Sequence, residues 1–423
     1  MRILVVGSGA REHALCWKFA QEPGVTAVLA APGNPGTAEL ATNIDVGADA
    51  VDDLIRAVER ERIDFTVVGP EAPLALGLVD RLASAGHLAF GPSRLAARLE
   101  TSKAFAKEFM HRHGVPSARF VICHTPEEAH AAARRFGLPV VLKADGLAAG
   151  KGVVIAEDEA AVRQAIDAAM ISRTFGSAGD CLVVEECLSG PEASFFVLCD
   201  GRRGVPIGTA QDHKRVFDGD RGPNTGGMGA FAPAVVLDAS VSARIESDIV
   251  QPVLRGMASE GCPFVGFLYV GLMLTASGPR VIEFNVRFGD PEAQVVLPAL
   301  AEPLANHLLA AASGRLDIDG LRRTNECVVG VVLASGGYPG VYERGHRIAG
   351  VDRAAQTSLV FHAGTARRDG RLVTDGGRVL TVVGRGATYD DAMRQAYRAA
   401  DCIDFQGRHL RRDIGRKALP QST

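Results

Sequence analysis

Lys143–Ala156 reads KADGLAAGKGVVIA: one lysine ends an apolar run, and a second stands among glycines and small residues. A P-loop requires G-x-x-x-x-G-K-[ST], with its backbone N–H groups wrapped around phosphates and its hydroxyl on a metal. The spacing from Gly146 to Gly150 is one residue short of that, and Gly152 stands where Ser or Thr belongs. The stretch is instead a glycine loop between two strand-like runs, LPVVLKAD before it and VVIAED after it. Flexible backbone that can approach a ligand closely is what a lid over a polyphosphate needs. Lys143, at the end of apolar residues, is expected at the border of a core, although strand-end lysines commonly snorkel to solvent.

Working outward, SKAFAKEFMHRHG and PEEAHAAARRFG read as helices, and FVICH and CLVVEECL as strands, giving a compact α+β unit around the loop. On its N-terminal side, RILVVG, TAVLAAPG, FTVVGPE and LAFGPS alternate as strands with the helical stretches REHALCWKFAQE, DDLIRAVERER and LALGLVDRLASAG. That alternation predicts a parallel, doubly wound sheet with ligands at the carboxyl ends of its strands. On the C-terminal side, longer strands are interrupted by DHKRVFDGDRGPNTGGMGAFAP, whose polar, glycine-rich character predicts a mobile or ligand-ordered loop. Beyond about Cys327, short strands and one helix, YDDAMRQAYRAADCI, suggest a small α+β appendage.

A chain of 423 residues is too long for one ordinary core, and 47% hydrophobic with 22% charged residues is ordinary for a globular protein. No window approaches the roughly 18 uninterrupted apolar residues of a spanning helix. The start MRILVVGSGAREHA lacks a signal-peptide pattern, so a cytoplasmic location is expected. A formal net charge of −3 without a basic stripe argues against nucleic acid and for small molecules. Eight scattered cysteines without a C-x-x-C pair read as reduced core thiols. Of 46 basic residues only Lys18, Lys103, Lys107, Lys143, Lys151, Lys214 and Lys417 are lysine, so a lysine on an apolar strand or in a glycine loop draws attention.

Three further stretches carry chemistry. GSGAREHA follows the first strand and opens the first helix, where free N–H groups meet an anion; Glu12 at the third glycine position argues against a dinucleotide. Arg11 beside the turn suits a phosphate monoester, and Glu71 in GPEAPL can accept from sugar hydroxyls. LVVEECLSGPEASF sets Glu185 and Glu186 side by side, with Glu192 after a turn; they form either a solvated acidic edge or carboxylates held by a donor-rich ligand or lysines. In VIEFNVRFGDPE, strand alternation puts Glu283, Asn285 and Arg287 on one face and Ile282, Phe284 and Val286 on the other. A carboxylate beside an amide oxygen suits Mg²⁺, and Arg287 suits an anionic substrate or a phosphoryl group in transfer.

In the order GSGAREHA, APGNPGT, GPEAPL, TSKAFAK, KADGLAAGKGV, VEECLSGPEASF, DHKR, PNTGGMGAFAP and EFNVRFGDPE, the chain resembles the phosphoribosylamine–glycine ligase family, ATP-grasp enzymes of purine biosynthesis, over essentially its whole length. The resemblance implies an α/β and α+β multidomain protein with an ATP-grasp fold. Residues 1–101 would form a biotin-carboxylase-like doubly wound domain, 102–327 the ATP-grasp region with a lid subdomain at about 123–190, and 328–423 a small C-terminal α+β domain. It implies ATP contacts at Lys103, Lys143, the loop Gly150, Lys151 and Gly152, Glu185, Glu186 and Leu188 near the adenine, and Glu192 at the ribose. Glu283 and Asn285 would hold Mg²⁺ or Mn²⁺. Asp212 and Arg287 would take glycine's ammonium and carboxylate and, with Lys143, form the catalytic set. Gly9, Arg11, Glu71, Gly289 and Asp290 would complete the substrate side. The implied reaction joins glycine to 5-phosphoribosylamine through glycyl phosphate, in a monomer or weak homo-oligomer that needs neither nucleic acid nor membrane. Competing readings are another ATP-grasp carboxylate ligase or carboxylase, or a nucleotide-binding regulator that has lost catalysis.

Overall fold

The computed structural model describes residues 1–146 and 152–420. The N-terminal sheet has five parallel strands in the spatial order Thr42–Asn43, Ala27–Pro32, Arg2–Gly7, Phe65–Val68, Ala89–Phe90. Its central strand is apolar without alternation because both faces are covered: Ile3 and Val5 enter one hydrophobic cluster, Leu4 and Val6 another, and all four are fully buried. The strand order reverses beside Arg2–Gly7, so Gly7 and Gly69 end neighbouring strands at the switch point, where such sheets bind ligands. The predicted helix LALGLVDRLASAG is two, Glu71–Ala75 and Leu78–Ser84, because Gly77 between them takes φ +80°.

The glycine loop belongs to a four-stranded antiparallel sheet, ordered Phe120–Cys123, Leu182–Glu186, Val140–Ala144, Val153–Ala156. Helices Pro126–Phe136 and Glu159–Ile166, capped by Thr125 and Asp158, pack on it around a separate core that includes Cys123, Ala129, Leu142, Ile166 and Val184.

An eight-stranded antiparallel sheet forms the centre, in the order Gly278–Asn285, Val265–Thr275, Glu192–Asp200, Gly204–Asp212, Gly229–Ala232, Cys327–Ala334, Arg378–Gly386, Leu359–His362. Two expectations change here. The segment beyond Cys327 is not an appendage: Gly229–Ala232 pairs on one edge with Gln211 and Asp212 and on the other with Val328–Val331, so the C-terminal strands continue the sheet. The polar segment after Asp212 folds as a hairpin, Arg215–Phe217 with Arg221–Asn224, followed by the strand Gly229–Ala232. Its turn is tied down by the C-terminal Arg411, which donates to the Arg215 carbonyl at 3.0 Å and to Asp220 at 2.9 Å, while Gly219 N donates to Asp413 at 2.8 Å. None of these partners is local, so the segment carries no periodicity of its own.

Candidate active site

On strand Val140–Ala144 Val140 and Leu142 are core, and Lys143 itself is buried. Its Nζ lies 3.0 Å from Glu185 Oε1 and donates to the Ile282 carbonyl at 3.0 Å. Lys107 reaches the same carboxylate from helix Lys103–Arg112, with Nζ 2.8 Å from Glu185 Oε2. Glu185 is 3% exposed, so it is no solvated edge; two lysines hold it, one from the neighbouring strand and one from a helix. Burial, reinforced by Lys143, pushes the Lys107 pKa down to about 8 against the pull of Glu185. Glu186, next along the strand, points the other way and accepts from Arg119 N at 2.9 Å and Arg119 Nε at 2.6 Å. Lys103 donates to the Gly146 carbonyl at 2.7 Å, and burial lowers its pKa. Leu188 is half-buried and Glu192 exposed. Gly152 is buried and its carbonyl accepts from Ala144 N at 2.8 Å; Gly150 and Lys151 lie outside the described residues.

The strand Gly278–Asn285 departs from the expected alternation. A bulge against Gly271 and Leu272 leaves Ile282 between the pairs Val281↔Leu272 and Glu283↔Gly271. Val281, Phe284 and Val286 therefore all reach the core, whereas Ile282 is only half-buried and offers its carbonyl to Lys143. Glu283 and Asn285 still share a side, and Arg287, beyond the strand's end, comes back to Asn285 Oδ1 at 3.4 Å. Lys214, two residues past strand Gly204–Asp212, bridges this row to Glu192 at the start of strand Glu192–Asp200, with Nζ 3.0 Å from Glu192 and 3.9 Å from Glu283. Burial works to raise the Glu283 pKa, but Lys214, Lys143, Lys103 and Arg287 outweigh it and hold the carboxyl below its ordinary range. For Asp212 the balance is reversed: burial, with Glu192 and Glu283 nearby, raises its pKa despite Lys214.

The opposite end contains the largest correction. The turn GSGAREHA is not open to an anion at Gly9, whose N–H donates to Glu12 Oε2 at 2.6 Å. The Glu12 carboxylate sits inside the glycine turn: a Cβ on Gly7 or Gly9 would fall 2.6 or 2.8 Å from its side chain, and one on Gly69 would collide with it as well. The helix end is thus answered by the chain's own acid at the third helical residue. Arg11 is buried against Glu12 Oε1 at 2.5 Å and donates to the Phe288 carbonyl at 3.2 Å. Arg287 donates to that same carbonyl at 3.2 Å, and also meets Glu100 Oε1 at 2.8 Å and Glu71 Oε2 at 3.3 Å. Two regions far apart in the chain therefore converge on Phe288. Burial opposes the charge of Arg287, but Glu100 and Glu71 outweigh it and push its pKa up. Asn34 of APGNPGT is used structurally, its amide donating to the Ser8 and His362 carbonyls at 2.8 Å each. Gly289 lies against Glu292, and Asp290 accepts from Gln294 at 2.7 Å and faces Arg378 at 3.2 Å.

Sequence patterns missed Glu100, Lys107, Lys214, Glu292 and Arg378. Lys107 and Lys214 stood among the seven lysines, and that scarcity was the available signal. Glu292, buried beside Asp212, has its pKa pushed up to about 7 by burial and then by that carboxylate. Arg378 had no signal in an arginine-rich chain.

As a metal site, Glu283 and Asn285 form a sparse set. Among the described residues no group of three His, Cys, Asp or Glu side chains gathers as a cage. A partly exposed, ionised carboxylate next to an amide oxygen nonetheless fits Mg²⁺, which takes one or two protein oxygens and completes its shell with phosphates and water.

Three family models match in succession: phosphoribosylglycinamide synthetase N domain over residues 1–100, its ATP-grasp (A) domain over 101–293 and its C domain over 328–417. A relative from Allochromatium vinosum named phosphoribosylamine–glycine ligase is 49% identical over 423 residues, covering 99% of each chain. One of the same name from Ralstonia nicotianae is 48% identical, covering 99% of this chain and all of that one. The crystal structure of phosphoribosylamine–glycine ligase from Thermotoga maritima superposes with a TM-score of 0.87 at 37% identity, over 98% of this chain and 100% of that one. A biotin carboxylase domain from Hydrogenobacter thermophilus, at TM-score 0.74 and 18% identity over 97% of this chain and 91% of that one, shares the fold. By sequence along its whole length and by fold, the chain belongs to the phosphoribosylglycinamide synthetase family.

Proposed function

We propose that the chain joins glycine to 5-phosphoribosylamine at the expense of ATP, giving glycinamide ribonucleotide, ADP and phosphate through glycyl phosphate. The observation that carries this is the full-length match, at 49% identity, to relatives named for that reaction. In this scheme a glycine carboxylate oxygen attacks the γ-phosphorus and ADP leaves. The ribosylamine nitrogen then attacks the acyl carbon, phosphate departs and the nitrogen loses a proton. Lys143 and Lys103 hold the phosphates, with Lys107 and Glu185 fixing Lys143. Gly150, Lys151 and Gly152 cover the phosphates, Glu186 and Leu188 border the adenine, and Glu192 takes the ribose. The separate core of the four-stranded unit supports its closing as one body, which keeps water from the acyl phosphate. A divalent ion, Mg²⁺ or Mn²⁺, held by Glu283 and Asn285 supplies charge neutralisation at the phosphates. Asp212 and Arg287 hold glycine's ammonium and carboxylate. Gly9, Arg11, Glu71, Gly289 and Asp290 border the ribosylamine. Catalysis is by positioning and charge, without a protein nucleophile.

The division into 1–101, 102–327 with a lid at about 123–190, and 328–423 is part of this proposal, supported by the three consecutive family matches. So is a cytoplasmic enzyme of small molecules, a monomer or weak homo-oligomer; its eight free thiols suit a reducing compartment. The test is an omission series read by mass spectrometry. Glycinamide ribonucleotide is expected only when ATP, Mg²⁺, glycine and phosphoribosylamine are all supplied. Folded protein that makes none with all four present overturns the assignment.

A further inference from the structure

The segment beyond Cys327 contributes none of the residues assigned above, yet two of its side chains grip the loops that carry them. Arg378, the first residue of strand Arg378–Gly386, donates from Nη1 to the Asp290 carbonyl at 2.6 Å and to the Gly226 carbonyl at 2.7 Å. Its Nη2 lies 3.2 Å from Asp290 Oδ2. Tyr338 completes the grip, its hydroxyl accepting from Gly226 N at 2.9 Å. The backbone can come this close because residue 226 is glycine: a Cβ there would stand 3.1 Å from Arg378 Cζ and 3.3 Å from the Tyr338 hydroxyl. The same Oδ2 also faces the N-terminal turn, where a Cβ on Gly9 would lie 3.5 Å from it. Asp290 is thus suspended between the Gly7–Gly9 turn and a guanidinium from the C-terminal segment. The guanidinium serves these three acceptors from two nitrogens held in one plane; an ammonium also has three donors, but on a single nitrogen at the end of a flexible stem, and does not reproduce that spread.

We propose that Arg378, assisted by Tyr338, is a positioning residue for the acceptor amine: it fixes Asp290 and the Gly226–Gly227 backbone against the N-terminal turn, so that the C-terminal segment completes the ribosylamine side of the site. This rests on the ligase function proposed above. The experiment compares full-length wild type with Arg378→Ala, Arg378→Lys and Tyr338→Phe in two assays. One is complete ligation, with phosphoribosylamine generated in place from ribose 5-phosphate and ammonia. The other is ATP-dependent glycine hydroxamate formation, with hydroxylamine as a small acceptor that needs no ribosylamine site. Arg378→Ala and Arg378→Lys are expected to raise KM for phosphoribosylamine by at least about tenfold, with hydroxamate formation within about threefold of wild type. Tyr338→Phe, which keeps the ring and loses one acceptor, is expected to move KM in the same direction by at least about threefold. Smaller KM changes, or equal losses in both assays, overturn the positioning role. If Arg378→Ala does not fold, the lysine and phenylalanine variants decide by the same criteria. Wild type inactive in both assays would instead remove the ligase function itself.

Discussion

Glu185→Gln is the sharpest perturbation of the site's electrostatics, because it removes one negative charge from between two buried lysines. Lys107 and Glu185 are each 3% exposed and Lys143 is 5% exposed, so water cannot supply the missing counter-charge. Glu185 meets Lys143 at 3.0 Å and Lys107 at 2.8 Å, so glutamine leaves both ammonium groups facing a neutral amide. Breaking a buried pair by neutralising one partner costs roughly 3–5 kcal/mol. Lys143 keeps its bond to the Ile282 carbonyl, which places the expected loss at the lower end, about 3 kcal/mol. For a cooperative unit of about 150–250 residues that corresponds to a melting temperature lower by roughly 6–12 °C. Removing one of the two stranded charges as well should recover part of it, so Glu185→Gln/Lys107→Met is expected to be more stable than the sum of the single changes by about 1–3 kcal/mol. The assay is urea and thermal unfolding of wild type, both single variants and the double variant. A Glu185→Gln cost below about 1 kcal/mol, or strict additivity in the cycle, would refute the idea that the carboxylate is what holds two lysines together in the core.

Glu283→Ala is expected to abolish metal-dependent turnover while leaving the melting temperature within a few degrees, since its side chain is partly exposed and faces the ligand side; an unchanged metal requirement would move the metal elsewhere. Arg11→Ala removes a charged hydrogen bond worth about 1.5–3 kcal/mol, so ligation at limiting phosphoribosylamine should weaken about tenfold to hundredfold while glycine hydroxamate formation persists. Equal losses in both would assign Arg11 to the fold, through its pair with Glu12. Acid should destabilise the protein through its buried histidines. Burial lowers His13 and His213 to about 3 and His362 to about 4, and His13 Nδ1 must stay unprotonated to accept from His362 N at 2.9 Å. The unfolded chain binds these protons near pH 6.5 and the folded one does not, so their stabilisation is complete above that pH and is lost as pH falls toward the folded values. Each contributes up to about 1.4 kcal/mol per pH unit in that window; melting temperature scanned from about pH 7.5 to about pH 5 should fall, and less steeply for His13→Asn.

Local patterns were enough to read most of the regular elements and the order of the ligand loops along the chain. Ile3–Val6 within RILVVG is an unbroken apolar run because both faces of its strand are covered, and such a run followed at once by a glycine turn and a helix has few other folds open to it. VIEFN displayed two ligand-type side chains at strand spacing, and Lys143 stood out where apolar residues ended. Periodicity records which face an element buries and says nothing about what meets that face. Only the tertiary structure decided that Glu12 fills the turn that looked ready for an anion, that a bulge frees the Ile282 carbonyl for Lys143, and that Lys107 shares Glu185. Only it revealed that the polar segment after Asp212 is ordered by Arg411 and that Arg378 grips Gly226 and Asp290 from 152 and 88 residues away. The physical reason is the same in each case. A buried charge must find a counter-charge or a carbonyl, any residue the fold brings within about 3 Å will serve, and nothing in local sequence spacing specifies which one that is.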